Sequence, residues 1–103
     1  MEKKTPHYDL AAIKAQVVRH GARAFTRSAL QCGRQLGLSL ADMQRVIAEL
    51  QIGMFYKSMT TYGDHRIWQD VYYPRFEHRR LYIKVTYRPG AGPPVISFKE
   101  AER

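Results

Sequence analysis

The first half of the chain repeats apolar residues with the period of an amphipathic helix. Asp9 is a candidate N-cap, and the apolar positions that follow it predict a first helix over 9–20: Leu10, Ile13 and Val17. A second helix is predicted to begin after Thr26 and to end at Gly37, with one face made of Ala29, Leu30, Gly33 and Leu36. The residues that separate the two helices, 22–25, are predicted to be a short extended segment.

The clearest helical pattern follows Ser39 and Asp42, a pair that resembles a capping box. It predicts a third helix over 40–51, whose apolar face consists of Leu40, Met43, Val46, Ile47 and Leu50. From Met54 onward β-branched and aromatic residues dominate, which is typical of strands. Strands are predicted near 54–61, 66–73, 80–88 and 94–99, separated by segments rich in Gly, Pro or charged residues.

Three helices followed by an antiparallel meander define an α+β fold, in which the helices pack on one face of a mainly antiparallel, twisted sheet. The length of 103 residues, with no visible internal repeat or second domain, indicates a single domain over 1–103. The other sheet face is then free to meet a ligand.

Strand alternation predicts which side chains occupy that free face. In the third strand Leu81, Ile83, Val85 and Tyr87 are expected to face the helices, and Tyr82, Lys84, Thr86 and Arg88 the other side. In the last strand Ile96 and Phe98 take the core side, opposite Val95, Ser97 and Lys99. In the first strand Phe55, Lys57, Met59 and Thr61 are expected to share one side, opposite Tyr56, Ser58 and Thr60.

The second strand is ambiguous, because either Ile67, Gln69, Val71 and Tyr73 or Trp68, Asp70 and Tyr72 form a plausible core face. If Gln69 faces outward, one basic face rimmed by aromatic rings brings together Lys57, Gln69, Tyr82, Lys84 and Lys99. Such a face suits RNA, since lysines contact phosphates and aromatic rings stack on bases. The alternative is an ordinary solvated sheet surface whose lysines protect an edge.

Charge supports a polyanionic partner. Seventeen Lys and Arg residues against nine Asp and Glu give a net charge of +8, which favours nucleic acid or an acidic protein over a role in solubility alone. The single cysteine, Cys32, and four scattered histidines give no metal-ligand spacing. The chain has neither a secretory signal nor an apolar run of membrane-spanning length, so we expect a cytoplasmic protein without a membrane partner.

The central residues resemble a known family. The segments FYKSMTTY, DH, IWQDVY and PR follow one another between Phe55 and Arg75, MEKKTPH opens the chain, TRSAL and LGL lie in the helical half, and YIKVT and VISFKE form the last two strands. Together they resemble the MqsR toxins, which belong to the RelE-like superfamily of mRNA-cleaving toxins. The resemblance covers nearly the whole chain.

The resemblance implies the toxin of a type II toxin–antitoxin system, a ribosome-independent mRNA endoribonuclease with a preference for GCU-type sites. It also implies neutralisation by an MqsA-like antitoxin, with a zinc-binding N-terminal domain and a helix-turn-helix C-terminal domain, and no cofactor or metal in the toxin. The implied catalytic residues are Lys57, Gln69, Tyr82 and Lys99. Further basic and aromatic side chains are expected to bind RNA: Lys84, Trp68, Tyr56, Arg75 and Arg88.

Two features depart from the family pattern: the long Gly- and Pro-rich loop over 88–94, and Tyr73 where a basic residue is expected.

Cleavage is expected to be metal-independent, through the 2′-hydroxyl of the RNA, although which residue acts as acid and which as base stays open. A lysine base would need a pKa lowered by burial or by neighbouring cations. The alternatives are a histidine pair, His65 and His78, and a basic module that binds nucleic acid without cutting it.

Overall fold

The computed structural model describes residues 1–101, so the last two positions of the predicted 1–103 domain lie outside the described residues. Helices precede nearly all of the sheet in the chain, and the sheet is antiparallel throughout its named strands. The predicted α+β class is therefore confirmed. Within residues 1–101, no helix is long and apolar enough to cross a membrane.

The three predicted helices are present as α1 (Leu10–His20), α2 (Arg27–Gln35) and α3 (Leu40–Ala48). Each begins where a polar side chain accepts a hydrogen bond from a backbone N–H of the first turn: Asp9, Thr26 and Ser39. Asp42 completes the capping box, because its carboxylate accepts from the Ser39 N–H at 3.0 Å. Local side-chain chemistry thus determines where every helix starts.

The segment predicted to be extended at 22–25 is instead mostly a 3₁₀ turn, Gly21–Ala24. Gly21 adopts a φ of 59°, and its N–H donates to the Val17 carbonyl, so the chain turns at the end of α1 rather than straightening. Helix α3 also ends before its predicted limit, at Ala48 rather than at residue 51, and a second 3₁₀ turn, Ile52–Met54, leads into the sheet.

The sheet contains more strands than the sequence predicts. The four predicted strands correspond to β2 (Phe55–Thr60), β3 (Trp68–Tyr72), β5 (Arg79–Thr86) and β6 (Val95–Glu100), which pair in that order. β4 (Arg75–Phe76) continues β3 past Pro74. It pairs with the start of β5 in the same register in which β3 pairs with the rest of that strand. β1 (Glu2–Lys3) adds an edge strand beside β2.

The core lies between the helices and one sheet face. The helices contribute buried residues that include Ile13, Val17, Met43 and Ile47, and the sheet contributes Leu81, Ile83, Val85, Ile96 and Phe98. The predicted core faces of β5 and β6 are confirmed. Helices α2 and α3 approach closely at Gly33, where an added Cβ would collide with the sulfur of Met43.

The expectation that Phe55 and Lys57 share one side of β2 is wrong. Phe55 pairs with Tyr72 and Lys57 with Val71, so the register shifts at Tyr56 in a β-bulge. The extra residue leaves the Phe55 ring against the helices, 5.5 Å from the ring of Tyr72, and turns Lys57 to the opposite face. The bulge therefore separates a core residue from a candidate site residue.

Candidate active site

Strand register resolves the ambiguous orientation of β3. Asp70 and Tyr72 are fully buried on the helix side, so Gln69 and Tyr73 face away from the helices. Gln69 pairs with Met59 of β2, which in turn pairs with Glu2 of β1. We call this surface the open face, and it includes Lys57, Gln69, Tyr73, Tyr82, Lys84 and Lys99.

At the centre of the open face, two lysines flank a buried apolar side chain. Lys57, Val71, Lys84 and Ser97 are neighbours on adjacent strands and lie side by side across the sheet. Val71 is fully buried although it faces away from the helices, and lysine stems cover apolar surface of this kind. The two lysines therefore lie on either side of β3.

A second row on the open face is aromatic. Tyr82 pairs directly with Lys99, whose ammonium lies 5.7 Å from the centre of the tyrosine ring. The Tyr73 ring meets Tyr82 edge-on at 5.2 Å, and Tyr56 stacks on Tyr73 at 4.8 Å. A cavity of about 410 Å³ lies over the β5 and β6 part of the face, lined by Tyr73, Tyr82, Lys84, Lys99, Glu100 and Ala101.

Glu2 of the edge strand forms an ion pair with Lys57. The Lys57 ammonium donates to Glu2 Oε2 at 2.9 Å. This hydrogen bond raises the pKa of Lys57, and the same contact lowers the pKa of Glu2. Lys57 is therefore held as a cation, which is the opposite of the lowered pKa that a lysine general base requires.

Tyr82 is held in its neutral form. Burial is the largest cause of its raised pKa, and the neighbouring Lys57 cation only partly opposes it. At neutral pH the phenol keeps its proton and can donate a hydrogen bond to an anion. Lys57 and Tyr82 together present donors rather than bases to the open face.

The other predicted RNA-binding residues are dispersed. Trp68 lies on the helix side of β3, where His7 stacks on its ring at 5.4 Å and the Lys3 ammonium lies 4.3 Å from its centre. Arg75 is exposed on β4, beyond Tyr73. Arg88 lines a separate cavity of about 540 Å³ beside His7.

The two histidines considered as an acid–base pair are not brought together. His65 lies in the loop between β2 and β3, and His78 lies in the tight turn between β4 and β5. These loops are at opposite ends of the β3–β4 segment, so no single phosphate can contact both side chains.

Sequence reasoning missed the part played by the N-terminal segment. The buried Asp70 carboxylate accepts hydrogen bonds from the His7 N–H at 3.0 Å and from the Tyr8 N–H at 2.9 Å. Tyr8 adds a hydrogen bond from its hydroxyl to the Trp68 carbonyl at 2.7 Å. A carboxylate within a predicted strand rich in aromatic residues was the available signal, because a buried charge requires donors.

A small basic α+β domain whose free sheet face combines lysines, stacked tyrosines and an amide has the features with which proteins bind single-stranded nucleic acid. Residues 5–100 match the family described as "Motility quorum-sensing regulator, toxin of MqsA". The chain is also 47% identical over 100 residues to the "mRNA interferase toxin MqsR" of Escherichia coli (strain K12), covering 97% of this chain and 99% of that protein. The chain belongs to the MqsR toxin family, as the resemblance of its central motifs predicted.

Proposed function

We propose that this protein is the toxin of a type II toxin–antitoxin system and acts as a ribosome-independent mRNA endoribonuclease. The observation that carries the proposal is the shared placement of Lys57, Gln69, Tyr82 and Lys99 on the open face. The E. coli relative is named for mRNA interference, and the family description names MqsA as the partner of the toxin. We further propose GCU-type cleavage sites and neutralisation by an MqsA-like antitoxin that has a zinc-binding and a helix-turn-helix domain.

The proposed reaction uses the 2′-hydroxyl of the RNA as nucleophile. Its oxygen bonds to the adjacent phosphorus as its proton leaves, and the bond from phosphorus to the 5′-oxygen breaks, with that oxygen taking up a proton. The products are a 2′,3′-cyclic phosphate and a 5′-hydroxyl end. This chemistry requires stabilisation of a pentacoordinate phosphate whose negative charge exceeds that of the substrate.

The open face supplies donors for that negative charge. Lys57 on β2 and Lys99 on β6 lie on either side of Tyr82 on β5, and Tyr82 holds a phenolic proton. We assign the lysines to charge neutralisation and Tyr82 to hydrogen bonding or proton donation to a phosphate oxygen or to the leaving 5′-oxygen. Gln69 bears no titratable group, so its role is to position a phosphate or a base.

The test is incubation of the purified protein with a defined mRNA, followed by mapping of the new 5′ ends. We expect 5′-hydroxyl ends to accumulate in EDTA and to disappear when the cognate antitoxin is added. The sequence around the ends tests the GCU assignment separately. RNA that is bound but remains intact under all conditions would instead favour a basic binding module, whose affinity falls steeply with salt.

The same assay tests the residue assignment. Lys57→Ala is expected to lower kcat by about 10²- to 10³-fold, because it removes one donor from the charged transition state. His65→Ala and His78→Ala are the matched controls, since both residues lie in loops outside the strands that form the open face. If a histidine variant abolishes cleavage while Lys57→Ala does not, the assignment is wrong.

A further inference from the structure

Tyr73 joins two tyrosines that would otherwise be separate. Tyr56 lies on β2, Tyr73 directly follows β3 and Tyr82 lies on β5, so the three rings come from neighbouring segments of the sheet. The centroid separations are 4.8 Å between Tyr56 and Tyr73 and 5.2 Å between Tyr73 and Tyr82. The first pair is nearly parallel, at 30°, and the second is edge-on, at 71°. Tyr73 thereby links Tyr56 and Tyr82 into one continuous row of three rings, which we call the aromatic strip.

The backbone of Tyr73 is held in place. Its N–H donates to the Met54 carbonyl at 2.8 Å, and its own carbonyl accepts from the Arg80 guanidinium at 3.2 Å. Pro74 follows and restricts the rotation of the chain at that point. A ring on such a backbone loses little conformational entropy when a ligand stacks on it.

The strip lies outside the hydrophobic core and carries cations along its length. The three tyrosines are separate from the helix-side cluster, and 42% of Tyr56 is exposed. The Lys4 and Lys57 ammonium groups lie 5.2 Å and 5.3 Å from the Tyr56 ring centre, and Lys99 lies over Tyr82. Aromatic rings flanked by cations are the combination that single-stranded nucleic acid recognises, with bases on the rings and phosphates on the cations.

We propose that Tyr73, together with Tyr56, forms a base-stacking subsite for a nucleotide next to the cleaved phosphate. The inference rests on the proposed ribonuclease function and extends it to the substrate. The strip runs across the strands from β2 toward Tyr82, so RNA with its scissile phosphate at Tyr82 places a neighbouring base over Tyr73 and Tyr56. Tyr73 contributes affinity at this position, whereas Lys57 and Tyr82 contribute to the chemical step.

The test combines a protein variant with an abasic RNA. Equilibrium binding is measured with a short RNA that carries 2′-O-methyl groups and therefore stays intact, and with copies that lack one base at each successive position. We expect Tyr73→Leu to weaken binding by about 5- to 150-fold, the range for loss of one stacked base. We also expect removal of one particular base to weaken binding to the wild type but to add little to the loss in Tyr73→Leu.

Two variants control the experiment. Tyr62→Leu removes a fully exposed tyrosine in the loop between β2 and β3 and is expected to bind like the wild type. Tyr73→Phe keeps the ring and is expected to retain the abasic penalty. If Tyr73→Leu retains the full penalty at every position, or weakens binding no more than Tyr62→Leu, the subsite is refuted.

Cleavage kinetics separate failure of this inference from failure of the proposed function. With an unmodified substrate, Tyr73→Leu is expected to raise KM and to leave kcat within about threefold. A fall in kcat with KM unchanged would assign Tyr73 to support of Tyr82 and overturn the inference. A wild-type protein that binds the modified RNA with the expected abasic pattern but never cleaves would refute the proposed function and leave the subsite standing.

Discussion

At the scale of single residues, the ion pair between Glu2 and Lys57 links the edge strand to the proposed chemistry. Lys57 has two electrostatic environments in this interpretation: the Glu2 carboxylate in the free protein, and an RNA phosphate in the complex. A phosphate group must displace or share the ammonium that Glu2 holds at 2.9 Å. In the proposed complex Glu2 therefore competes with the substrate, and in the free protein its hydrogen bond raises the pKa of Lys57.

Replacement of Glu2 tests both effects. Because Glu2 raises the pKa of Lys57, Glu2→Gln is expected to lower that pKa toward the ordinary lysine value. The midpoint of the Lys57 Cε chemical shift in an NMR titration should consequently move to lower pH. At neutral pH, where Lys57 stays charged in both proteins, KM for RNA should fall by up to about fivefold, since an exposed pair contributes little.

Glu49→Gln is the control for this experiment, because Glu49 is exposed at the end of α3 and belongs to the helix layer. An unchanged Lys57 midpoint in Glu2→Gln would contradict the ion pair. A KM that rises would instead show that Glu2 orients Lys57 for the substrate more than it competes with it.

At the scale of elements, the N-terminal segment depends on one buried carboxylate. β1 pairs with β2 through only two residues, Glu2 and Lys3, and the Met1 carbonyl accepts from the Thr60 N–H at 3.0 Å. A two-residue strand cannot hold itself in place, but Asp70 anchors the chain that follows it through the backbone of His7 and Tyr8. The orientation of β3 and the position of β1 are thus coupled.

Asp70→Asn is expected to lower the free energy of unfolding by about 1–3 kcal/mol, because a neutral amide accepts weaker hydrogen bonds from the His7 and Tyr8 N–H groups than the charged carboxylate does. Urea unfolding measures this loss, and faster trypsin cleavage at Lys3 or Lys4 should report release of the segment. Asp64→Asn is the control: Asp64 pairs with Arg66 within its own partly exposed loop and should cost less than about 1 kcal/mol. Equal losses in the two variants would refute the anchoring role.

At the scale of the whole molecule, positively charged side chains lie both on the helices and on the open face. The net charge of +8 gives the protein a general attraction for polyanions, and we expect three lysines of the open face to contact phosphates: Lys57, Lys84 and Lys99. The general attraction depends on the total charge, wherever the charges lie, whereas a local contact depends on the one lysine that touches the phosphate. Removal of a single charge therefore distinguishes the open face from the rest of the surface.

Salt dependence of binding measures that difference. With uncleavable RNA, log K is expected to fall with log salt at a slope of about −2, from about −0.7 for each of three phosphates neutralised. Lys84→Ala should reduce the magnitude of the slope by about 0.7. Lys14→Ala removes the same charge from α1 and should leave the slope nearly unchanged. Equal effects of the two variants would show that RNA does not use the open face.

The sequence by itself determined the features that depend on near neighbours. The starts of α1, α2 and α3 followed from caps within one helical turn, and alternation in β5 and β6 correctly divided core from open face. The family, too, was evident from continuous motifs such as FYKSMTTY. Such features need no knowledge of which distant segments pair.

Tertiary structure decided the features that depend on pairing between distant segments. The bulge at Tyr56 exists only against β3, and Gln69 faces outward because Asp70 finds its donors in residues 7 and 8. The ion pair of Glu2 with Lys57 and the stacking of Tyr56 on Tyr73 likewise join residues far apart in the chain. Local periodicity carries no information about such pairs, because the competing strand orientations differ only in contacts that form when the sheet assembles.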